Sequence, residues 1–78
     1  MESIALYNKA FLDIFMLAEK DLVTLKYHDV PEWDSVGHMM LITAIEEAFD
    51  IMFDTEDIIG FSSWAKGKLI LAKYDVVL

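Results

Sequence analysis

The stretch EWDSVGHMMLITAIEEAF, residues 32–49, decides the fold, because it carries the most regular apolar pattern in the chain. Its large apolar side chains recur every three or four residues, which places them along one side of an α-helix. Asp34 is a favourable N-cap residue, so Ser35 is predicted to be the first residue of a helix that ends at Phe49.

The sequence before this stretch predicts a helix and a long loop. Apolar residues at helical spacing indicate a first helix over residues 3–17, with Ser3 as its N-cap. Pro31 pushes the residue before it into an extended conformation. Residues 23–27 look strand-like, but no neighbouring segment is an evident partner for them. We therefore expect residues 18–34 to form a long ordered loop, and loops of this length are often functional.

The sequence after the stretch predicts two more helices. A short third helix would be capped by Asp54 and stopped by Gly60. The last helix would begin at Ser62 or Ser63 and run to about Tyr74. The result is an all-α fold, a small four-helix bundle with three longer helices, a short third helix and a long loop between the first two.

Composition and charge narrow the possible functions. The 78 residues form a single expected domain, residues 1–78, and 56% of them are hydrophobic, which is typical of a compact fold. A net charge of −8 and the absence of arginine argue against nucleic acid or an anionic membrane as partner. No apolar run reaches the roughly 18 residues of a membrane span, and the N-terminus lacks the features of a signal peptide. We expect a cytoplasmic monomer.

Metal binding is not expected either. The chain has no cysteine, which excludes disulfides and thiolate zinc sites. The acidic sequence DTED, residues 54–57, lacks the spacing and the glycine of an EF-hand loop.

Ser35 allows three interpretations. It simply starts a helix next to Asp34, which is the ordinary role of such a pair. Alternatively it is a nucleophile with His38 as its base, although a small bundle offers little room for an oxyanion hole and a pocket. The third interpretation is a site of covalent modification.

The order of motifs along the chain bears on this choice. Asp34-Ser35-Val36 at the start of a helix and the run EEAF at its end are similar to the second helix of acyl carrier proteins. The continuation DIMFDTEDIIGFSSW resembles the loop and short third helix of that family. The resemblance covers nearly the whole chain, and the WDSVGH form is similar to specialised, discrete carriers. It implies a protein that is not an enzyme and that binds 4′-phosphopantetheine.

The resemblance also implies roles for individual residues. Ser35 would receive the phosphopantetheine arm from coenzyme A through a phosphopantetheinyl transferase, and its neighbours Asp34 and Val36 would lie beside the attachment point. The arm would hold an acyl group as a thioester for partner enzymes of a lipid, polyketide or cell-surface pathway. The alternatives are an aminoacyl or peptidyl carrier and, from another class, an acidic helical interaction module without an arm.

Two surfaces are expected around the arm. Partner enzymes with basic patches would dock on these residues: Gly37, Met40, Glu47, Asp54, Glu56 and Asp57. An acyl chain would enter between core residues that part to admit it: Met39, Ile45, Phe53, Ile58 and Ile59. Most large apolar residues of the second and third helices are expected to be core first of all. Glu46 and Glu47 lie at the helix end that disfavours acids, so their placement needs a reason other than helix stability, and contact with a partner is one such reason.

Trp33 and His38 flank the start of the second helix. Trp33 directly precedes the N-cap, and His38 is the fourth helical residue, which is the spacing of a hydrophobic staple. We expect the two rings to pack together and to fix the angle at which the loop meets the helix.

Overall fold

A computed structural model describes residues 2–78 and shows an all-α protein. Its four α-helices are α1 (Ser3–Phe15), α2 (Ser35–Phe49), α3 (Thr55–Gly60) and α4 (Trp64–Ala72). A single 3-10 turn, Glu19–Asp21, interrupts the long loop between α1 and α2. The predicted all-α architecture is confirmed, and the order of long, long, short and longer helices is as expected.

The start of α2 follows the sequence prediction closely. Asp34 has extended backbone angles, and its Oδ1 accepts the backbone N–H of Gly37 at 2.9 Å. The last helical residue is Phe49, and the C-cap residue Asp50 takes the left-handed conformation with φ 54°. Both predicted ends of α2 are therefore confirmed.

Both predicted ends of α1 are wrong by one or two residues, whereas α3 begins and ends where predicted. Glu2, not Ser3, occupies the N-cap position of α1, which ends at Phe15. Asp54 stands at the N-cap of α3, but its side chain makes no capping bond. Gly60 is the last residue of α3, so the helix closes at the predicted glycine.

The last helix starts from its N-cap at Ser63, which is one of the two predicted starting points. The side chain of Ser63 accepts the N–H of Lys66 at 2.9 Å, so Ser63 is the N-cap of α4. This helix ends at Ala72 and does not reach Tyr74.

The strand-like part of the long loop does have a partner, which corrects the prediction. Tyr27 donates its N–H to the carbonyl of Ser62 at 2.9 Å, and Trp64 donates to the carbonyl of Leu25 at 3.1 Å. These bonds form one isolated antiparallel bridge between Lys26 and the α3–α4 connection. The bridge holds the loop against the start of α4.

An aromatic cluster forms the centre of the core. Trp33 is fully buried and stacks on Phe15 with ring centroids 5.2 Å apart, while Phe11 meets Trp33 edge-on at 5.7 Å. Such pairs contribute about 0.5–1.5 kcal/mol beyond their buried area. Because Trp33 belongs to the long loop, this cluster fixes the loop on α1 and positions the start of α2.

Gly67 lets α4 lie close to this cluster. A Cβ at this position would lie 2.2 Å from the hydroxyl of Tyr7 and 2.3 Å from the ring of Phe61. The glycine that weakens α4 as an isolated helix is therefore needed for packing. Within residues 2–78, none of the helices has the length and apolar character that a bilayer span requires.

Candidate functional site

Ser35 lies exposed at the first position of α2. Asp34 supplies the capping oxygen, so the Ser35 hydroxyl is not needed to start the helix. The residue stands between two depressions of the surface and lines both of them. Ser35 is therefore the point where the two surfaces meet.

The first depression is an open groove between α1 and α2, with a volume of about 660 Å³. Val36, Met39 and Met40 line it from α2, and Ile14 lines it from α1. Val36 is 70% exposed and Met40 is 54% exposed. Glu47 is the one charged residue of the groove, so its surface is mainly apolar.

The second depression is a cleft between α2 and α3, with a volume of about 390 Å³. Its apolar wall includes Met39, Ile58 and Ile59. Tyr27 and His38 contribute polar atoms beside Ser35. The α2–α3 cleft thus combines an apolar wall with a polar rim next to the serine.

His38 links the core to α3 through both of its ring nitrogens. The indole N–H of Trp33 donates to Nδ1 at 2.9 Å, and Nε2 lies 2.7 Å from the carbonyl oxygen of Ile58. Since Nδ1 accepts, the proton of a neutral imidazole sits on Nε2 and is donated to that carbonyl. The Trp33 and His38 rings are in contact and nearly coplanar, with centroids 6.2 Å apart and an interplanar angle of 15°, which confirms the predicted contact. With both nitrogens occupied, His38 has none free to take a proton from Ser35.

Gly37 was expected on the docking surface, and the structure corrects this. The residue is buried, because a Cβ there would lie 1.8 Å from the backbone oxygen of Glu32 and 3.3 Å from the ring of Phe15. Gly37 serves the close approach of the loop to α2, so it offers no surface to a partner.

Asp57 was also expected on the docking surface, but its side chain is buried. It accepts hydrogen bonds of 2.6 Å from Lys73 Nζ and from the hydroxyl of Tyr74. The expected docking surface thus loses Asp57, which instead ties α3 to the end of α4. Asp54 and Glu56 remain exposed at the start of α3.

These bonds make Asp57 a source of acid sensitivity. The hydrogen bonds from Lys73 and then Tyr74 hold the pKa of Asp57 below its usual 3.8. A lowered folded-state pKa stabilises the fold at pH values above the usual pKa, and this contribution is lost as the pH falls through the folded-state pKa.

We expect Asp57→Asn to be less stable than the parent at pH 7 and to show a weaker loss of stability below about pH 4. Urea unfolding at several pH values measures both, and Glu56→Gln is the exposed control. Parallel pH profiles for Asp57→Asn and the parent would refute this role.

Glu46 has a structural role that its sequence position did not reveal. Its Oε2 accepts the N–H of Phe53 at 2.8 Å, which anchors the loop after α2. This bond gives the acid at position 46 a structural reason that needs no partner, while Glu47 is exposed.

The expected acyl pocket is only partly assembled. Met39, Ile58 and Ile59 line the α2–α3 cleft, whereas Ile45 and Phe53 are buried in the core away from its lining. Met39 is 48% exposed and Ile59 is 77% exposed, so the expectation that these residues are chiefly core is wrong.

Two residues that shape the site could not be identified from the sequence. Ile14 of α1 and Tyr27 of the loop line the groove and the cleft because of how distant segments pack. No local pattern reports such packing. Among residues 2–78, no group of three or more histidine, aspartate or glutamate side chains is arranged to hold a metal ion.

Comparisons with protein-family models, with curated proteins and with solved structures find no match for this chain.

Proposed function

We propose that this protein is an acyl carrier of the acyl-carrier fold type, with Ser35 as the attachment point of 4′-phosphopantetheine. The observation that carries the proposal is the place of Ser35. It is exposed at the N-terminus of a long helix, it is freed from capping by Asp34, and it lines two apolar depressions. A modified serine at this point can be reached by one enzyme and can direct its cargo towards another surface.

The helix terminus suits the chemistry of attachment. The Ser35 oxygen would bond to the phosphorus of the pantetheine phosphate while the pyrophosphate bond of coenzyme A breaks. Adenosine 3′,5′-bisphosphate leaves, and the hydroxyl proton passes to a base of the phosphopantetheinyl transferase. The N–H groups and the partial positive charge of the α2 N-terminus favour the phosphodiester that results.

The two depressions support separate roles. The α2–α3 cleft offers an apolar wall of Met39, Ile58 and Ile59 to the first part of an acyl chain. A longer chain would have to displace core residues such as Ile45 and Phe53, and a small bundle has little stability with which to resist this. The groove between α1 and α2 is left for contact with partner enzymes.

The partner surface combines apolar and acidic residues. Val36 and Met40 are exposed in the groove, and Glu47 lies in the same depression. Flexible methionines adapt to different partner surfaces. The net charge of −8 steers basic partners towards the chain, mainly by raising the rate of encounter.

A thiol titration tests the proposal, because the chain has no cysteine of its own. We expect no reactive thiol before, and one thiol per chain after, incubation with coenzyme A and a phosphopantetheinyl transferase. Protein freed from coenzyme A is treated with a thiol reagent, and protein incubated without the transferase is the control. An aminoacyl or peptidyl carrier gives the same thiol and is separated from an acyl carrier by the cargo it accepts. An acidic interaction module gives no thiol, and that result would reject the proposal.

A further inference from the structure

His38 is held in a position that only its neutral form can keep. Its Nδ1 accepts the Trp33 N–H at 2.9 Å, and its Nε2 faces the Ile58 carbonyl at 2.7 Å. Histidine is the side chain that ordinarily changes charge between about pH 5 and pH 8. A protonated imidazole has two N–H donors and no acceptor, so its Nδ1–H would oppose the donor of Trp33.

The geometry decides which of the two rings must move. Trp33 is fully buried and is fixed by stacking on Phe15 and by edge contacts with Phe11 and Tyr27. His38 is only half-buried. The imidazole therefore turns away towards solvent, and by doing so it also withdraws Nε2 from the carbonyl of Ile58.

The bond between His38 Nε2 and the Ile58 carbonyl joins α2 to α3, so its loss affects the side of α3 that faces α2. Asp57 still holds the helix to α4 through Lys73 and Tyr74. Ile58 and Ile59 form the α3 wall of the α2–α3 cleft, and His38 forms part of the opposite wall. Release of the Ile58 carbonyl therefore widens the cleft beside Ser35 while the rest of the helix stays in place.

The titratable groups near His38 come from the long loop, from the start of α2 and from α3. Tyr27 of the long loop meets the His38 ring edge-on, with ring centroids 5.6 Å apart. His28 stacks on the ring of Tyr27, with centroids 4.0 Å apart. The carboxylate of Asp34, at the N-cap of α2, accepts the backbone N–H of Gly37. On α3, the charge of Asp57 is paired with Lys73.

We propose that His38 is a proton-operated latch on the α2–α3 cleft: the neutral imidazole holds the cleft closed, and protonation opens it. The consequence for an arm or acyl chain on Ser35 rests on the proposed function. The latch itself is a property of the unmodified chain and is tested there, so a failure of the latch leaves the thiol titration unaffected.

Nuclear magnetic resonance of the unmodified chain provides the test. At about pH 8 we expect a scalar coupling between Trp33 Nε1 and His38 Nδ1, which reports the N–H···N bond directly. On lowering the pH to about 5 this coupling should vanish, the Ile59 amide signal should shift, and the protection of the Ile58 amide should fall about tenfold or more. The indole of Trp64, which donates to Asn8 Oδ1 at 2.8 Å, is the internal control and should not respond.

Two variants assign the response to one histidine. His38→Gln keeps an acceptor and a donor but does not titrate, so it should abolish the pH response, whereas His28→Gln should retain it. Should His38→Gln fail to fold, the coupling in the parent and the response of His28→Gln decide the question. The proposal is overturned if the coupling is absent at pH 8, if it persists at about pH 5, or if His28→Gln removes the response.

Discussion

Gly37→Ala is expected to lower the free energy of unfolding by about 3 kcal/mol or more. The new methyl group would lie 1.8 Å from the backbone oxygen of Glu32 and 3.0 Å from its carbonyl carbon. Backbone cannot rotate away as a side chain can, so the loop before α2 or the first turn of the helix has to shift. The same turn carries the bond between Gly37 and Asp34, which the shift would weaken. Against a total stability on the order of 4–12 kcal/mol for a chain this long, the loss is severe.

Gly60→Ala is the matched control for this substitution. Nothing lies within 4 Å of a Cβ at Gly60, which is also helical. The change should therefore alter stability by about 1 kcal/mol or less, in the stabilising direction, because alanine is the better helix former. Urea unfolding followed by circular dichroism measures both variants. Equal stability of Gly37→Ala and the parent would contradict the close approach of the loop to α2.

Much of the fold follows from local patterns, and α2 shows why. Its apolar spacing and the Asp34 cap are both properties of consecutive residues, so both ends were predictable. The bridge between Lys26 and Ser63 was not predictable, because the two residues lie about 37 positions apart in the chain and form only a single bridge. The end of α3 at Gly60 was predictable, because glycine is a local signal for the end of a helix.

The site, too, was predictable only where it depends on residues that are close together in the sequence. Ser35 and the contact of Trp33 with His38 follow from positions within one helix start. The burial of Gly37 and of Asp57 depends on residues that only the folded chain brings near, such as Lys73 for Asp57. An acid in an acidic segment is ordinarily a surface residue, so the sequence favoured the wrong interpretation of Asp57.

Ser35→Ala is expected to abolish the covalent loading of this chain completely, while leaving the fold intact. Alanine has no hydroxyl to form the phosphodiester, and Asp34 still caps the helix through Gly37. Ser62→Ala is the matched control, since Ser62 is an exposed serine that lines the same cleft. It should load as well as the parent.

The most direct measurement is the intact mass of the three proteins after incubation with coenzyme A and a phosphopantetheinyl transferase, followed by peptide mapping. The parent and Ser62→Ala should each gain the mass of one phosphopantetheine group, carried by the peptide that contains residue 35. Ser35→Ala should gain none and should keep the circular dichroism spectrum of the parent. No gain in the parent, or a gain that persists in Ser35→Ala, would contradict the assignment of Ser35 as the carrier site.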